Sequence, residues 1–324
     1  MGETVSIIIT VRNGAKYLPQ VIASLEKLNY KQREILFIND GSTDETGTIL
    51  KNSPGVRVIE TKGIGPSAAR NLALKEARGN FIAFTDADCL VHPDWLYELL
   101  KGFTGDKVAA VGGDQQSPED ETPFGRKVQC FFKAAGFVAD YVKTDGNDLI
   151  ETSHSPTCNA MYRTLCLKQA GGFLEGLWPG EDLELDHRLK KQGWTLKYNP
   201  KAVVYHYRPD GMKRFTRMMF AYGRAQGFLV RRYGPFRLLH AVPWILLAGT
   251  VFCSFFGTAA LASAGVTTGA VMYAFLLYRT KKPLQAVQLF VLSVIAVCAW
   301  HFGFFKELLF KRFRVIERAG AAPL

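Results

Sequence analysis

Three features of the 324-residue sequence predict an α/β fold on a mostly parallel sheet flanked by helices. Short β-branched or aromatic runs alternate with helix-like segments through the first hundred residues, as in sheets with helices on both faces. Polar motifs stand directly after the first, second and fourth runs, where open α/β sheets bind ligands. Over residues 238–305 the composition changes to an almost uncharged apolar stretch.

In order, Val5 to Val11 predicts the first strand and Lys16 to Leu28 its helix, then Glu34 to Asn39 and Thr43 to Lys51. Val56 to Glu60 is followed by Pro66 to Ala77, and Phe81 to Thr85 by Pro93 to Phe103, with each proline suited to a first helical turn. Val108 to Val111 adds a strand. Pro118 to Pro123 reads as an acidic, turn-rich connection. Organisation resumes at Thr157 to Tyr162, with a helix over Glu181 to Lys191 and an extended segment over Leu196 to His206.

Six cysteines lie far apart without CxxC spacing, which argues against a zinc site or a disulfide framework. The amino-terminal apolar run is short and lacks a basic flank, unlike a secretory signal, so the globular part is expected in the cytoplasm. The net charge of +11 first suggests nucleic acid. Between His206 and Arg237, however, eight Lys or Arg face the single acid Asp210, so the excess borders the apolar tail. Anionic lipid headgroups explain that position better than nucleic acid does, with a solvated helix face as the plain alternative.

Asp86 and Asp88 flank one small residue after a buried strand. Paired carboxylates there suit Mg2+ or Mn2+, and equally a turn before Pro93. Asp40, in Asn39-Asp40-Gly41-Ser42, sits at a strand end where a carboxylate can accept from a base or ribose, while Ser42 and Thr43 fit a helix cap. Glu181-Asp182 opens a helix, where the dipole keeps a carboxylate charged, in a capping role or as a general base. No Gly-x-Gly-x-x-Gly follows the first strand, where Arg12-Asn13-Gly14-Ala15 stands, which excludes a dinucleotide oxidoreductase.

Together, Val5 to Asn13, Ile38 to Thr46, Gly65 to Asn71, Phe84 to Asp88, and Gly171-Gly172-Phe173 through Gly180-Glu181-Asp182 to Arg188 resemble family 2 of the inverting glycosyltransferases, whose nucleotide-sugar-binding fold is called GT-A. The resemblance implies that Thr10, Arg12, Asn13, Asp40, Arg70 and Asp86 contact the donor nucleotide. It implies that Asp88 with Asp86 (a DxD motif), and His206 as in some relatives, hold the metal, His206 having the plain alternative of a hydrogen-bonded structural histidine. Asp182, paired with Glu181, matches the catalytic base. Thr157, Cys158, Asn159 and Trp178 correspond to positions near the transferred sugar or acceptor, with a plain turn as the alternative for the first three. Two departures stand out: Asn39 where many relatives are acidic, and Thr10-Val11-Arg12-Asn13 where the usual motif contains proline. Gln192-Gly193-Trp194 lacks the arginine of the processive synthases' Gln-x-x-Arg-Trp, which favours transfer of one sugar at a time.

The expected organisation is a GT-A catalytic domain over residues 1–206, a basic amphipathic interfacial segment over 207–237, and a membrane region over 238–324. Its hydrophobic segments run over about 238–262, 264–278 and 284–305, followed by a basic tail from Lys306 through Lys311, Arg312 and Arg314 to Arg318. Three full spans conflict with the positive-inside rule if both Arg279-Thr280-Lys281-Lys282 and that tail are cytoplasmic, so one segment is interfacial or re-entrant, or one cluster lies outside. Met212 to Tyr233 reads as a helix at headgroup level, or as one packed against the catalytic domain. This order resembles the membrane-bound branch that includes succinoglycan glucosyltransferases. The expectation is therefore a UDP-sugar donor, a polyprenyl-diphosphate-linked saccharide acceptor, anionic lipids as partners, and a multi-pass protein of the cytoplasmic membrane. The alternatives are a polyprenyl-phosphate sugar synthase, or a non-catalytic membrane-tethered nucleotide-binding protein.

Overall fold

The computed structural model describes residues 3–135, 148–311 and 313–315. Arg312 and Arg318 of the expected basic tail lie outside them. The chain divides into two compact units: residues 1–121, 138–207 and 314–324 in one, residues 122–137 and 208–313 in the other. A helix from within residues 1–206 groups with the carboxyl-terminal helices.

The first unit is built in chain order from β1 (Val5–Val11), α1 (Leu18–Glu26), β2 (Arg33–Asp40), α2 (Thr46–Lys51), β3 (Arg57–Thr61), α3 (Pro66–Glu76), β4 (Phe81–Thr85), β5 (Cys89–Val91), α4 (Trp95–Lys101) and β6 (Val108–Gln116). The second unit's helix α5 (Pro123–Ala135) follows in sequence. The first unit resumes with β7 (Ile150–Thr152), β8 (Asn159–Arg163), α6 (Thr164–Gln169), α7 (Glu181–Lys191) and β9 (Thr195–His206). Among the described residues the strands form one sheet in the order β3-β2-β1-β4-β8-β6-β9-β5, with β7 on β9. Pairing is parallel through β3-β2-β1-β4 and again between β6 and β9. Beyond it β8 is antiparallel to β4 and β6, and β5 and β7 are antiparallel to β9. The sheet is thus mixed.

Strand β1 is almost wholly buried because helices cover both faces, and its mostly aliphatic composition reflects this. On one face Leu18, Val21, Trp95 and Leu96 pack against Ile7 and Ile9. On the other, Ala69, Ala73, Leu167 and Leu185 pack against Ile8, Ile82 and Phe84.

The second unit contains α5, α8 (Met212–Tyr233), a short 3-10 turn at Leu238–Ala241, α9 (Val242–Ser254), α10 (Thr258–Thr280) and α11 (Pro283–Phe310). Helix α8 lies along α11 with backbones close: a Cβ on Gly223 would collide with the Trp300 carbonyl, and one on Gly303 with that of Phe220. Such small-residue contacts are a common way for apolar helices to approach. Glu307 is fully buried between Arg224 and Arg231, at 3.1 and 3.3 Å. Phe215 meets Phe124 and Phe131 of α5 edge-on. The buried face of α8 (Phe215, Met219, Phe228, Leu229) is therefore used in packing within this unit.

Among the described residues two helices, α10 and α11, are long and apolar enough to cross a membrane, or up to three spans if the pair bent by 97° over Met212–Tyr233 and Leu238–Ser254 is counted as one broken span. The expected segment 238–262 is not continuous. Gly257, at φ 89°, lies in a region favoured by glycine and separates α9 from α10. The 13 residues of α9 reach about 20 Å, short of a hydrocarbon core about 30 Å thick. The span expected over 264–278 is instead the 23-residue α10.

Candidate active site

Strand ends place the acidic residues. Asp86 and Asp88 follow β4, and β5 pairs antiparallel with β9 so that Cys89 stands opposite His206. The pairing brings His206 Nε2 to 3.6 Å from Asp88 Oδ1. Ligand-type atoms of Asp86, Asp88, Cys89 and His206 all lie within 4.8 Å of one another. His206 Nδ1 is 3.3 Å from the side-chain oxygen of buried Gln115, which holds the ring with Nε2 toward Asp88. Burial pushes the Cys89 thiol well above its ordinary value, aided by its hydrogen bond with Cys158, so it stays protonated and is a poor ligand. Two carboxylates and an imidazole remain, a donor set that fits Mn2+ or Mg2+.

Behind the acidic pair stands Arg70 on α3, only 4% exposed. Its guanidinium reaches Glu181 Oε1 at 2.5 Å and Asp86 Oδ1 at 3.2 Å. Arg70 was expected to hold the nucleotide; its observed partners are internal, and it braces the metal-side carboxylate against α7. Protein crowds Asp86 closely enough that desolvation raises its carboxyl, opposed by Arg70, although a third of the side chain is exposed. Glu181 is buried too, its second oxygen has no hydrogen-bond partner, and burial lifts its carboxyl to about 7 against the pull of Arg70. Expected as half of a catalytic pair, Glu181 is enclosed and serves the arginine.

Asp182 is placed differently. Gly180, left-handed at φ 97°, turns the chain into α7, and Asp182 follows in the first turn. Its Oδ1 accepts from Leu183 N–H at 2.8 Å and its Oδ2 from Thr157 N–H at 3.2 Å. The Thr157-Cys158-Asn159 segment thus meets the candidate base through backbone. Asn159 is 0% exposed, donates to the Asp114 and Ala202 carbonyls, and accepts from Trp95 Nε1, so its polar atoms tie the sheet together. Cys158 is buried beside Cys89. Trp178 is 57% exposed, an open apolar face next to Gly180.

On the nucleotide side, Asp40 accepts from Thr61 Oγ1 at 2.6 Å and from the N–H groups of Ile64 and Gly65 at 2.7 and 2.8 Å. Both its oxygens shape the loop before α3. Asn13, at φ 55°, accepts from Thr43 N–H at 2.8 Å and so laces the β1–α1 loop to the β2–α2 loop. Thr10 is half-buried at the end of β1, and Arg12 is exposed above Gly63.

Sequence reasoning overlooked His154 and Asp186. His154 Nδ1 lies 2.8 Å from Asp186 Oδ2, and its Nε2 is 4.0 Å from Asp182 Oδ2. One signal was present: Asp182 and Asp186 are spaced i, i+4 on a helix and share a face.

A model of glycosyl transferase family 2 matches residues 6–170. Pre-mycofactocin glycosyltransferase of Mycobacterium tuberculosis (strain ATCC 25618 / H37Rv) is 30% identical over 234 residues, covering 70% of this chain and 48% of that protein, so this chain spans about half of that relative's length. Dolichyl N-acetyl-alpha-D-glucosaminyl phosphate 3-beta-D-2,3-diacetamido-2,3-dideoxy-beta-D-glucuronosyltransferase of Methanococcus voltae is 25% identical over 340 residues, covering 94% and 97%. Among solved structures, mannosyltransferase PcManGT from Pyrobaculum calidifontis in complex with GDP-Man and Mn2+ matches with a TM-score of 0.64 at 19% identity, over 96% of this chain and 88% of that one. That likeness identifies the fold as GT-A.

Proposed function

The chain belongs to glycosyl transferase family 2, and from that premise we propose that it is an inverting, metal-dependent glycosyltransferase. It transfers one sugar from a nucleotide sugar, a UDP-sugar, to a polyprenyl-diphosphate-linked saccharide presented at the cytoplasmic membrane face. One observation carries the reading: within one unit, Asp86, Asp88 and His206 converge at the strand ends while Asp182 stands in the first turn of α7, the two groups linked through Arg70.

In this reading Asp182 takes the proton of the acceptor hydroxyl as its oxygen attacks the anomeric carbon from the face opposite the leaving diphosphate. Asp86, Asp88 and His206 would hold Mg2+ or Mn2+, which supplies positive charge to the departing diphosphate. Arg70 keeps Asp86 aimed, and exposed Trp178 offers a stacking face for a sugar. Asp40, Asn13, Arg12 and Thr10 shape the donor's nucleotide side. The two apolar helices and the basic face of α8 support an acceptor delivered from an anionic membrane, and the full-length archaeal relative named for a dolichyl-linked substrate supports a lipid-linked one. The cytoplasmic membrane, with the catalytic unit cytoplasmic, is the matching location.

The test is release of nucleotide diphosphate by the full-length protein from a panel of nucleotide sugars, with polyprenyl-diphosphate-linked saccharides as acceptors. Asp182→Asn is expected to lower kcat by about 10²–10⁴. Undiminished turnover refutes the base, and also points toward a bare phosphate acceptor, which needs none. Chelation should abolish turnover until Mn2+ or Mg2+ is restored, and Asp88→Ala should lose that recovery; wild-type-like metal response in Asp88→Ala refutes the metal role.

A further inference from the structure

We propose that Arg217, Arg224 and Arg231 of α8, with Lys306 of α11, form a binding site for the diphosphate of a lipid-linked acceptor, and that buried Glu307 aims it. This deepens the acceptor class of the reading above and rests on it.

The three arginines recur at every seventh residue, about two helical turns, so they form one stripe along α8. Gly223 and Gly227, whose backbones meet Trp300 and Phe304 of α11, stand on the adjoining stripe, so the arginines border the seam between the two helices. Lys306 reaches the same seam from α11: its ammonium lies 5.5 Å from the ring of Phe220, one turn before Arg224. Glu307, the next residue, is 0% exposed. Its Oε2 accepts from Arg224 Nη2 at 3.1 Å, and its Oε1 accepts from Arg231 Nη2 at 3.3 Å and from Phe313 N–H at 3.0 Å.

A carboxylate enclosed in an apolar helix pair needs a counter-charge, and one arginine supplies it. Two are present. Each guanidinium gives one nitrogen to Glu307 and stays about a quarter exposed, with donors left over. Arg224 Nε is among these, buried without a hydrogen-bond partner. The Arg224 guanidinium also lies 4.5 Å over the Phe313 ring, which fixes its plane. Glu307 thus removes one charge from the site and gives the remaining donors a direction.

The unit that holds α8 and α11 contains two acids, Asp210 and Glu307, and Asp210 pairs with Arg214 at 3.0 Å. Arg217 is exposed and has no acidic partner among the described residues. Three arginines and Lys306 against Glu307 make four cations less one acid, a charge of +3. A phospholipid phosphodiester carries a single negative charge and leaves most of that unanswered. A diphosphate substituted at both ends carries a charge on each phosphorus and offers oxygens to more than one guanidinium. Depth agrees with this occupant. The 28 residues of α11 reach about 42 Å, and a hydrocarbon core of about 30 Å takes about 20 of them. Counted from Pro283, the core ends near Gly303, which leaves Lys306 and Glu307 at the level of lipid phosphates.

The experiment uses the full-length protein in detergent, without donor or metal, and reads binding of undecaprenyl diphosphate, undecaprenyl phosphate and phosphatidylglycerol by native mass spectrometry. Wild type should bind the diphosphate most tightly. Arg224→Gln and Arg231→Gln should each weaken that binding about tenfold, the worth of one hydrogen bond to a charged group. Arg217→Gln, exposed and outside the Glu307 pairing, should weaken it about fivefold and carries the test if the inner variants fold poorly. Lys282→Gln, which removes a charge at the other end of α11, should leave it unchanged. Equal affinity for either of the other two lipids overturns the assignment to a diphosphate, and an equal loss in Lys282→Gln reduces the effect to overall charge and overturns the site. If wild type prefers the diphosphate while the arginine variants bind it undiminished, the site falls and the acceptor class stands. If wild type binds no undecaprenyl diphosphate, the acceptor class falls and the site with it.

Discussion

Replacing Arg70 by Met, close in length but uncharged, tests the bracing network most directly. The guanidinium is 4% exposed and makes ion pairs at 2.5 Å to Glu181 and 3.2 Å to Asp86. Removing one partner of a buried pair costs about 3–5 kcal/mol, because the remaining charge has lost its water and its counter-ion. At about 2–4 °C per kcal/mol for a unit of this size, the unfolding midpoint should fall by about 10 °C. The loss should also depend on pH. With Arg70 present, burial already lifts the folded Glu181 carboxyl from 4.5 to about 7, so its contribution to stability is full below 4.5 and is lost as pH rises through 7. Without Arg70 to lower it, that carboxyl rises further and the folded variant keeps a proton that the folded wild type gives up. The unfolded chains are alike, so the variant loses ground above pH 7, by at most about 1.4 kcal/mol per pH unit for one proton. Thermal unfolding of the detergent-solubilised protein at pH 6, 7, 8 and 9 measures both effects. Adding Glu181→Gln should recover most of the loss and flatten its pH dependence. A fall of less than about 2 °C at pH 8, or no recovery in the double variant, refutes the reasoning.

Gly223→Ala forces α8 off α11, since the new methyl meets the Trp300 carbonyl; overpacking of this kind costs about 1–3 kcal/mol, seen as a lower unfolding midpoint. Gly249→Ala on α9, with nothing near its Cβ, should leave that midpoint unchanged or raised. Asp40→Ala leaves the N–H groups of Ile64 and Gly65 and the Thr61 hydroxyl without their acceptor, a cost of about 1–3 kcal/mol, and should speed tryptic cleavage after exposed Lys62.

The elements that carry the donor side are written locally. The run Val5–Val11 is mostly aliphatic because helices bury both faces of β1, and its limits and those of Phe81–Thr85 read directly from composition. Helix α7 likewise shows its limits: Gly180 before it, three acids in its first turn and three bases in its last. The polar loop after Phe81–Thr85, with Asp86 and Asp88 in it, follows from the rule that such sheets bind ligands at strand ends.

What the sequence by itself determined, then, is which residues carry charge and at which strand or helix end each stands, because burial and chain direction leave periodic, short-range marks. Only the tertiary structure decided what those charges face. The three-residue β5 is too short to show a pattern, yet its pairing with β9 brings His206 to Asp88 across more than a hundred residues of chain. Asn159 reads as a loop residue in sequence, while its three hydrogen-bond partners come from distant segments. Arg70 is drawn inward by Glu181, and His154 gains meaning only from α7 beside it. The apolar tail follows the same division: hydropathy marks it, but Gly257 and the close contact of α8 with α11 decide which stretches are long helices. Pairings through space leave no periodicity along the chain, and electrostatic partners are chosen by distance in the fold rather than by distance in sequence.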